Sequence, residues 1–349
     1  MINYLLQKRI SRHRHRNREI APAELEHART LLFTVFSRYG DGIIAFKVIR
    51  EFIACHPDKT YYLLTSHQLR PYAEALVDRR VKVLSVRKRS PRQMLDTLWR
   101  LHRAKIDIGF NPWGSPGESE FFLTLAERFY TFASLKFPVT ENLYARVRQY
   151  LSLPAPERQE NPPPVPQPVK RLLLAPFSTD VRKGLAVADV ASLLAWLGRQ
   201  FPGARVTVAL AEEEQKRVRG LPVTEVFIFG KSEEKSRQFL RLVQESDLFA
   251  GVDAGPLHLA DALGKPAIGL FGPTAPEAIL DVDSRVLPLR APELRGTFCA
   301  VHSCRDPRCL HALFRDDPEK VRWAASPCLK EERRVCRFLH PNGDSFTPA

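Results

Sequence analysis

The 349-residue sequence has no run of about 18 uninterrupted apolar residues, so no membrane-spanning helix is expected. A secretory leader is not expected either. The opening "MINYLLQKRISRHRHRNREI" holds only a brief apolar patch, and basic residues follow it where a cleavage site belongs. No zinc finger, RNA-recognition signature or aromatic-interleaved basic run occurs, so nucleic acid is not the expected partner. Cysteine is sparse, at six residues, and in a chain read as cytoplasmic that argues against a disulfide framework. Acidic residues fall short as well: 39 Asp and Glu stand against 53 Lys and Arg, for a net charge of +14. Part of the excess is local, because Lys8, Arg9, Arg12, Arg14, Arg16 and Arg18 form a basic arm with His13 and His15. An anionic lipid surface or a phosphorylated glycan suits such an arm, and so does a plain solvated tail.

What is present is a repeated alternation. "TLLFTVFS", "TYYLLTS", "VKVLSV" and "IDIGFNPWG" read as buried strands, with helical stretches such as "DGIIAFKVIREFIACH" and "HQLRPYAEALVDRR" between them. Seven prolines between Pro154 and Pro168 then favour extended polyproline geometry and mark a semi-rigid linker. Beyond it the rhythm restarts with "RLLLAPFS", a helix in "GLAVADVASLLAWLGRQF", "RVTVAL", helices in "EEEQKRVRG" and "EEKSRQFLRLVQ", "VTEVFIFG" and "DLFAGVD". The expected fold class is α/β, with two Rossmann-like domains facing a cleft. The expected division is a basic arm at 1–27, an acceptor-side domain at 28–153, the linker at 154–169, a nucleotide-binding domain at 170–298 and a cysteine-containing segment at 299–349. Ligands of such sheets sit beyond the carboxyl ends of the strands.

The densest chemistry lies in "GVDAGPLHLADALGKPAIGLFGPTAPE", which holds five glycines and four prolines between Gly251 and Glu277. A strand ending at Asp253 turns into a helix at Ala254 and Gly255. Gly255 lets the backbone approach a ligand, Pro256 suits the first helical position, and His258 falls in the first turn. After the strand "PAIGLFG" the device repeats, with Gly272 at the turn, Thr274 as hydroxyl donor or cap, and Pro276 entering a short helix. Two helix N-termini, with their free amides and positive dipole ends, suit a diphosphate; the same residues would also punctuate ordinary strand-to-helix turns.

This stretch resembles the donor-site signature of family 9 glycosyltransferases, the ADP-heptose-dependent heptosyltransferases of lipopolysaccharide core assembly. The resemblance implies the GT-B fold, with the nucleotide sugar held on the C-terminal domain at Asp253, Ala254, Gly255, Leu257, His258, Gly272 and Thr274. Three other places follow the family's order. "SRYGDGIIAFKVIREF" resembles its opening strand–loop–helix and implies Asp41 as catalytic base, although Asp41 after Gly40 would equally cap a helix in any protein. In "APFSTDVRKGL", Lys183 matches the phosphate-contacting lysine, with Arg182 and Ser178 beside it. Glu213, among Glu212 to Glu214, takes the place of the acidic residue that meets the nucleoside. Three departures stand out: Ala254 replaces the usual Thr or Ser, "VRKG" lacks the tryptophan–proline that usually follows the lysine, and the first domain, 28–153, is short.

The resemblance further implies an inverting displacement from ADP-heptose to an acceptor hydroxyl, with no cofactor or metal required at the diphosphate; a GT-B enzyme using another nucleotide sugar, or a catalytically idle nucleotide-sugar-binding homologue, is the alternative. The implied acceptors are lipopolysaccharide core or, as in relatives that modify autotransporter proteins, a protein hydroxyl. Those relatives carry a cysteine-ligated iron. Cys299, Cys304, Cys309 and Cys328 would suffice for a structural iron or zinc here, with Cys336 spare, while idle thiols are the alternative. The expected location is the cytoplasm, with peripheral contact to the inner membrane through the basic arm.

Overall fold

The computed structural model describes residues 14–16, 22–87, 90–112, 118–131, 142–157, 165–291, 310 and 313. The chain divides into two compact units, Met1–Ala155 with Lys231–Arg237, and Pro156–Gly230 with Gln238–Ala349.

The first half runs β1 (Arg14–Arg16), α1 (Pro22–His27), β2 (Thr30–Val35), α2 (Tyr39–Cys55), β3 (Thr60–Ser66), α3 (Arg70–Leu76) and β4 (Lys82–Val86). It continues through α4 (Pro91–Ala104), β5 (Ile108–Asn111), α5 (Glu118–Leu123), β6 (Arg128–Thr131) and α6 (Leu143–Tyr150). Its strands form one parallel sheet in the order β1-β6-β5-β2-β3-β4. β2 is buried along nearly its whole length, as a central parallel strand covered on both faces should be. Its Phe33 stacks on Phe110 with centroids 5.1 Å apart and meets Phe52 of α2 edge-on at 5.5 Å.

The second half runs β7 (Arg171–Ala175), α7 (Val187–Gln200), β8 (Arg205–Leu210), β9 (Glu225–Ile228), α8 (Glu233–Glu245) and β10 (Leu248–Val252). α9 (Gly255–Ala262), β11 (Ala267–Phe271), α10 (Pro276–Ile279) and β12 (Val286–Arg290) follow. The strands again form a parallel sheet, ordered β12-β11-β10-β7-β8-β9. Strand order reverses between β7 and β10, the arrangement that opens a ligand crevice at their carboxyl ends. The two strands approach so closely there that only glycine fits at position 251: a Cβ would lie 2.9 Å from the Ala175 carbonyl oxygen.

Both sheets are pinned by one device. Asp107, just before β5, accepts hydrogen bonds from the amides of Arg29 and Thr30 at 2.7 and 2.8 Å, where β2 begins. Asp247, just before β10, accepts from Lys170 and Arg171 at 2.9 and 2.8 Å, where β7 begins.

The structure departs from the expected organisation in several places. Residues 14–16 of the basic arm are not a free tail: they add a strand to the edge of the first sheet, Arg14 opposite Phe129 and Arg16 opposite Thr131. The arm's far end, α1, packs through Leu25, and its Glu24 accepts hydrogen bonds from Arg128 and Tyr130. At the C-terminal end of the linker, Val165 and Val169 are buried in the core of the second sheet. Leu310 and Leu313, within the segment expected to be separate, join that same core. "EEEQKRVRG" forms a 3-10 helix, Glu212–Val218, in place of an α-helix.

Candidate active site

Four loops leave the carboxyl ends of the neighbouring strands β11, β10, β7 and β8, and they carry every residue assigned to the donor. The β7 loop bears Ser178, Arg182 and Lys183, the β8 loop Glu213, the β10 turn Asp253 to His258, and the β11 turn Gly272 and Thr274.

The β7 loop tightens into a 3-10 turn, Val181–Lys183, capped by Asp180, whose carboxylate accepts from the Arg182 amide at 3.2 Å. The same carboxylate takes the Arg182 guanidinium at 2.8 and 2.6 Å, and this charged partner holds Asp180 below the ordinary carboxylate pKa. Arg182 is therefore committed to its own turn. Ser178 is likewise engaged, accepting from the Asp180 amide at 3.3 Å. Lys183 instead reaches across the switch point and donates to the Asp253 Oδ2 at 2.5 Å.

Asp253 is buried where β10 ends. Burial by itself would raise its carboxyl, but the neighbouring His258 imidazole and the Lys183 charge prevail and pull its pKa far below the usual range. His258 Nε2 lies 3.6 Å from Asp253 Oδ1. Its Nδ1 and the Thr274 Oγ1 are both buried and make no hydrogen bond among the described residues. Such atoms are rare in a folded chain and suit an incoming polar ligand.

Helix α9 starts at Gly255 with Ala254 as N-cap, so Pro256 occupies the second helical position rather than the first. This narrows the amides open to an anion. Pro256 has none, and that of Leu257 bonds to the Ala254 carbonyl at 3.0 Å, which leaves Ala254 and Gly255. The Leu257 side chain is fully buried in the core. Thr274 is not a cap, because Ala275 holds that place before α10. Glu213 is exposed on the 3-10 helix after β8.

Asp41 belongs to the first sheet, at the corresponding point after β2. The cap of α2 is Arg38, so Asp41 is the third helical residue, half-buried, and not the N-cap. A carboxylate there is favoured by the positive end of the helix dipole.

Sequence reasoning missed the residues that brace these loops. Arg217 places its guanidinium 4.0 Å from the Phe177 ring centroid and donates to the Leu185 carbonyl at 3.3 Å, tying the β7 and β8 loops together. Arg290 donates to the Gly272 carbonyl at 3.2 Å. Neither sits in a motif; each was only one more basic residue in a basic chain. The chain also contains an Asp-x-Asp, Asp281 to Asp283, whose first member accepts from the Val282 amide in the turn before β12. Cys299, Cys304, Cys309 and Cys328 lie outside the described residues. Among the described residues, no group of three or more His, Cys, Asp or Glu is arranged to hold a metal ion.

Solved structures share this architecture. A family 9 glycosyltransferase from Veillonella parvula aligns with a TM-score of 0.56 at 15% identity, over 75% of this chain and 85% of its own. The ADP-heptose lipopolysaccharide heptosyltransferase II of E. coli aligns at 0.52 and 15% identity, over 82% of this chain and 97% of its own. The iron-containing dodecameric glycosyltransferase TibC of enterotoxigenic E. coli aligns at 0.52 and 14% identity, over 91% of this chain and 81% of its own, and has been solved with ADP-D-β-D-heptose. No curated protein gives a significant match to the sequence. Two parallel sheets of this order, with these structural neighbours, show the GT-B fold. Residues 135–306 match the model of glycosyltransferase family 9 (heptosyltransferase), which supports a glycosyltransferase enzyme.

Proposed function

We propose that the chain transfers a heptose from ADP-heptose to an acceptor hydroxyl with inversion at the anomeric carbon. The observation that carries this reading is the buried Asp253 between Lys183 and His258 at the β7/β10 switch point, with the unpartnered His258 Nδ1 and Thr274 Oγ1 nearby in sequence and topology. The complex of TibC with ADP-heptose supports the choice of donor.

In the proposed reaction the acceptor oxygen attacks the anomeric carbon and its proton passes to Asp41. The bond from that carbon to the β-phosphate oxygen breaks through an oxocarbenium-like transition state. The charge that grows on departing ADP is met by Lys183 and by the amides of Ala254 and Gly255. Arg182 acts by holding the turn, through Asp180, that aims Lys183. Base and clamp belong to different units. The proposed acceptor is an anionic lipopolysaccharide core, with a protein hydroxyl as rival; the +14 charge suits the former.

The test is nucleotide release and thermal stabilisation with ADP-heptose and, separately, with UDP- and GDP-sugars, in the presence of core glycan or of candidate proteins. ADP-heptose alone should turn over, and Asp41→Ala should lower the rate by about 10²–10⁴-fold while donor binding persists. Lack of binding to any donor would overturn the reading. Turnover unchanged in Asp41→Ala would remove Asp41 as base.

A further inference from the structure

Helix α4 carries an outward face that the transfer chemistry leaves unused. Its inner side buries Thr97 and Leu101, and Met94, Leu98 and Ala104 pack onto the core formed by Leu32, Leu64 and Phe122. One turn apart on its outer side, Leu95 and Trp99 are 67% and 57% exposed. The spacing of four residues stacks them on one stripe. Arg92 and Arg103 share that stripe, and the Arg103 guanidinium lies over the Trp99 ring at 4.7 Å. The acidic residue of the helix, Asp96, is neutralised by Arg100 at 2.9 Å. Immediately upstream the sequence reads Arg87, Lys88, Arg89. An apolar centre with an aromatic ring, rimmed by cations on a short amphipathic helix, is the composition of a helix that lies in a lipid–water interface.

We propose that α4 docks the first unit on an anionic bilayer surface, Leu95 and Trp99 entering the headgroup region while Arg92 and Arg103 meet lipid phosphates. Charge complementarity selects this occupant: the face is cationic around its apolar centre, which suits a negative surface. The inference goes beyond the proposed transfer and does not require it, so a chain that docks but transfers nothing would fail only as a heptosyltransferase.

The experiment is co-sedimentation of the full chain with vesicles of phosphatidylcholine alone or mixed with phosphatidylglycerol, at low and high salt, for wild type and the double variant Leu95→Ser/Trp99→Ser. Circular dichroism and melting temperature check that the variant is folded, as surface changes of this kind should leave it. Wild type should partition onto the anionic vesicles and much less onto the neutral ones. Salt should weaken binding, and the double variant should lose about tenfold or more in partitioning. Equal binding of the variant would assign any membrane contact elsewhere, including the basic arm, and overturn the proposal. So would absence of wild-type binding, or self-association of wild type that the variant abolishes without vesicle binding, which would make the face a contact between copies.

Discussion

The residue that concentrates most of the site's electrostatics is Asp253, because it is more buried than the lysine that neutralises it: side-chain exposure is 5% against 20%. Removing the lysine strands a charge in a poorly hydrated place, whereas removing the carboxylate leaves a lysine with some access to water. Lys183→Met is therefore expected to cost about 3 kcal/mol at neutral pH, more than Asp253→Asn, and the double variant less than the sum of the two. Thermal unfolding of the four proteins checks the order. The pH dependence has a definite sign. A carboxyl whose folded pKa is depressed contributes stability that is present above its unfolded pKa of about 3.9 and is lost as pH falls through the folded value. In Lys183→Met the raising effect of burial faces less opposition, so the variant's deficit should shrink on acidification as Asp253 protonates earlier than in wild type. A deficit that is flat with pH would mean that Lys183 stabilises by packing instead.

At the scale of elements, the two aspartates that pin the sheets make a paired prediction. Asp107→Ala and Asp247→Ala each remove two carboxylate hydrogen bonds from amides where a strand begins, and each should cost about 1–3 kcal/mol in urea unfolding. Gly251→Ala should also destabilise, because its Cβ meets the Ala175 carbonyl, a backbone atom that cannot turn aside. The central strands were legible in the sequence as apolar runs, and the turn after β10 as a glycine–proline motif, since burial on both faces leaves a strong mark. The strands that escaped notice include the edges β1 and β12. β1 is a basic triplet held by backbone pairing with β6. β12 contains Pro288, which is tolerated because the strand lies at the edge of its sheet. The donor loops could be placed from sequence, but the preference of Arg182 for Asp180, and of Lys183 for Asp253, could not. Those pairings depend on where a three-residue 3-10 turn points its side chains, and no spacing rule encodes that.

For the whole molecule, two cores allow the units to be probed separately. Under the proposed function, ADP should slow hydrogen exchange in 176–183, 211–218, 253–258 and 272–275, at the carboxyl edge of the second sheet; protection confined to the first unit would sink the donor assignment. The strand β1 bears on how the protein is handled. A clone trimmed to start at residue 22, to shed an apparently dispensable basic leader, would strip the cover from β6 and leave a row of unpaired amides and carbonyls open to other chains. Such a clone should sediment as aggregate where the full chain stays in solution, so solubility tags and affinity handles belong ahead of Arg14, joined by a spacer that leaves the strand free to pair.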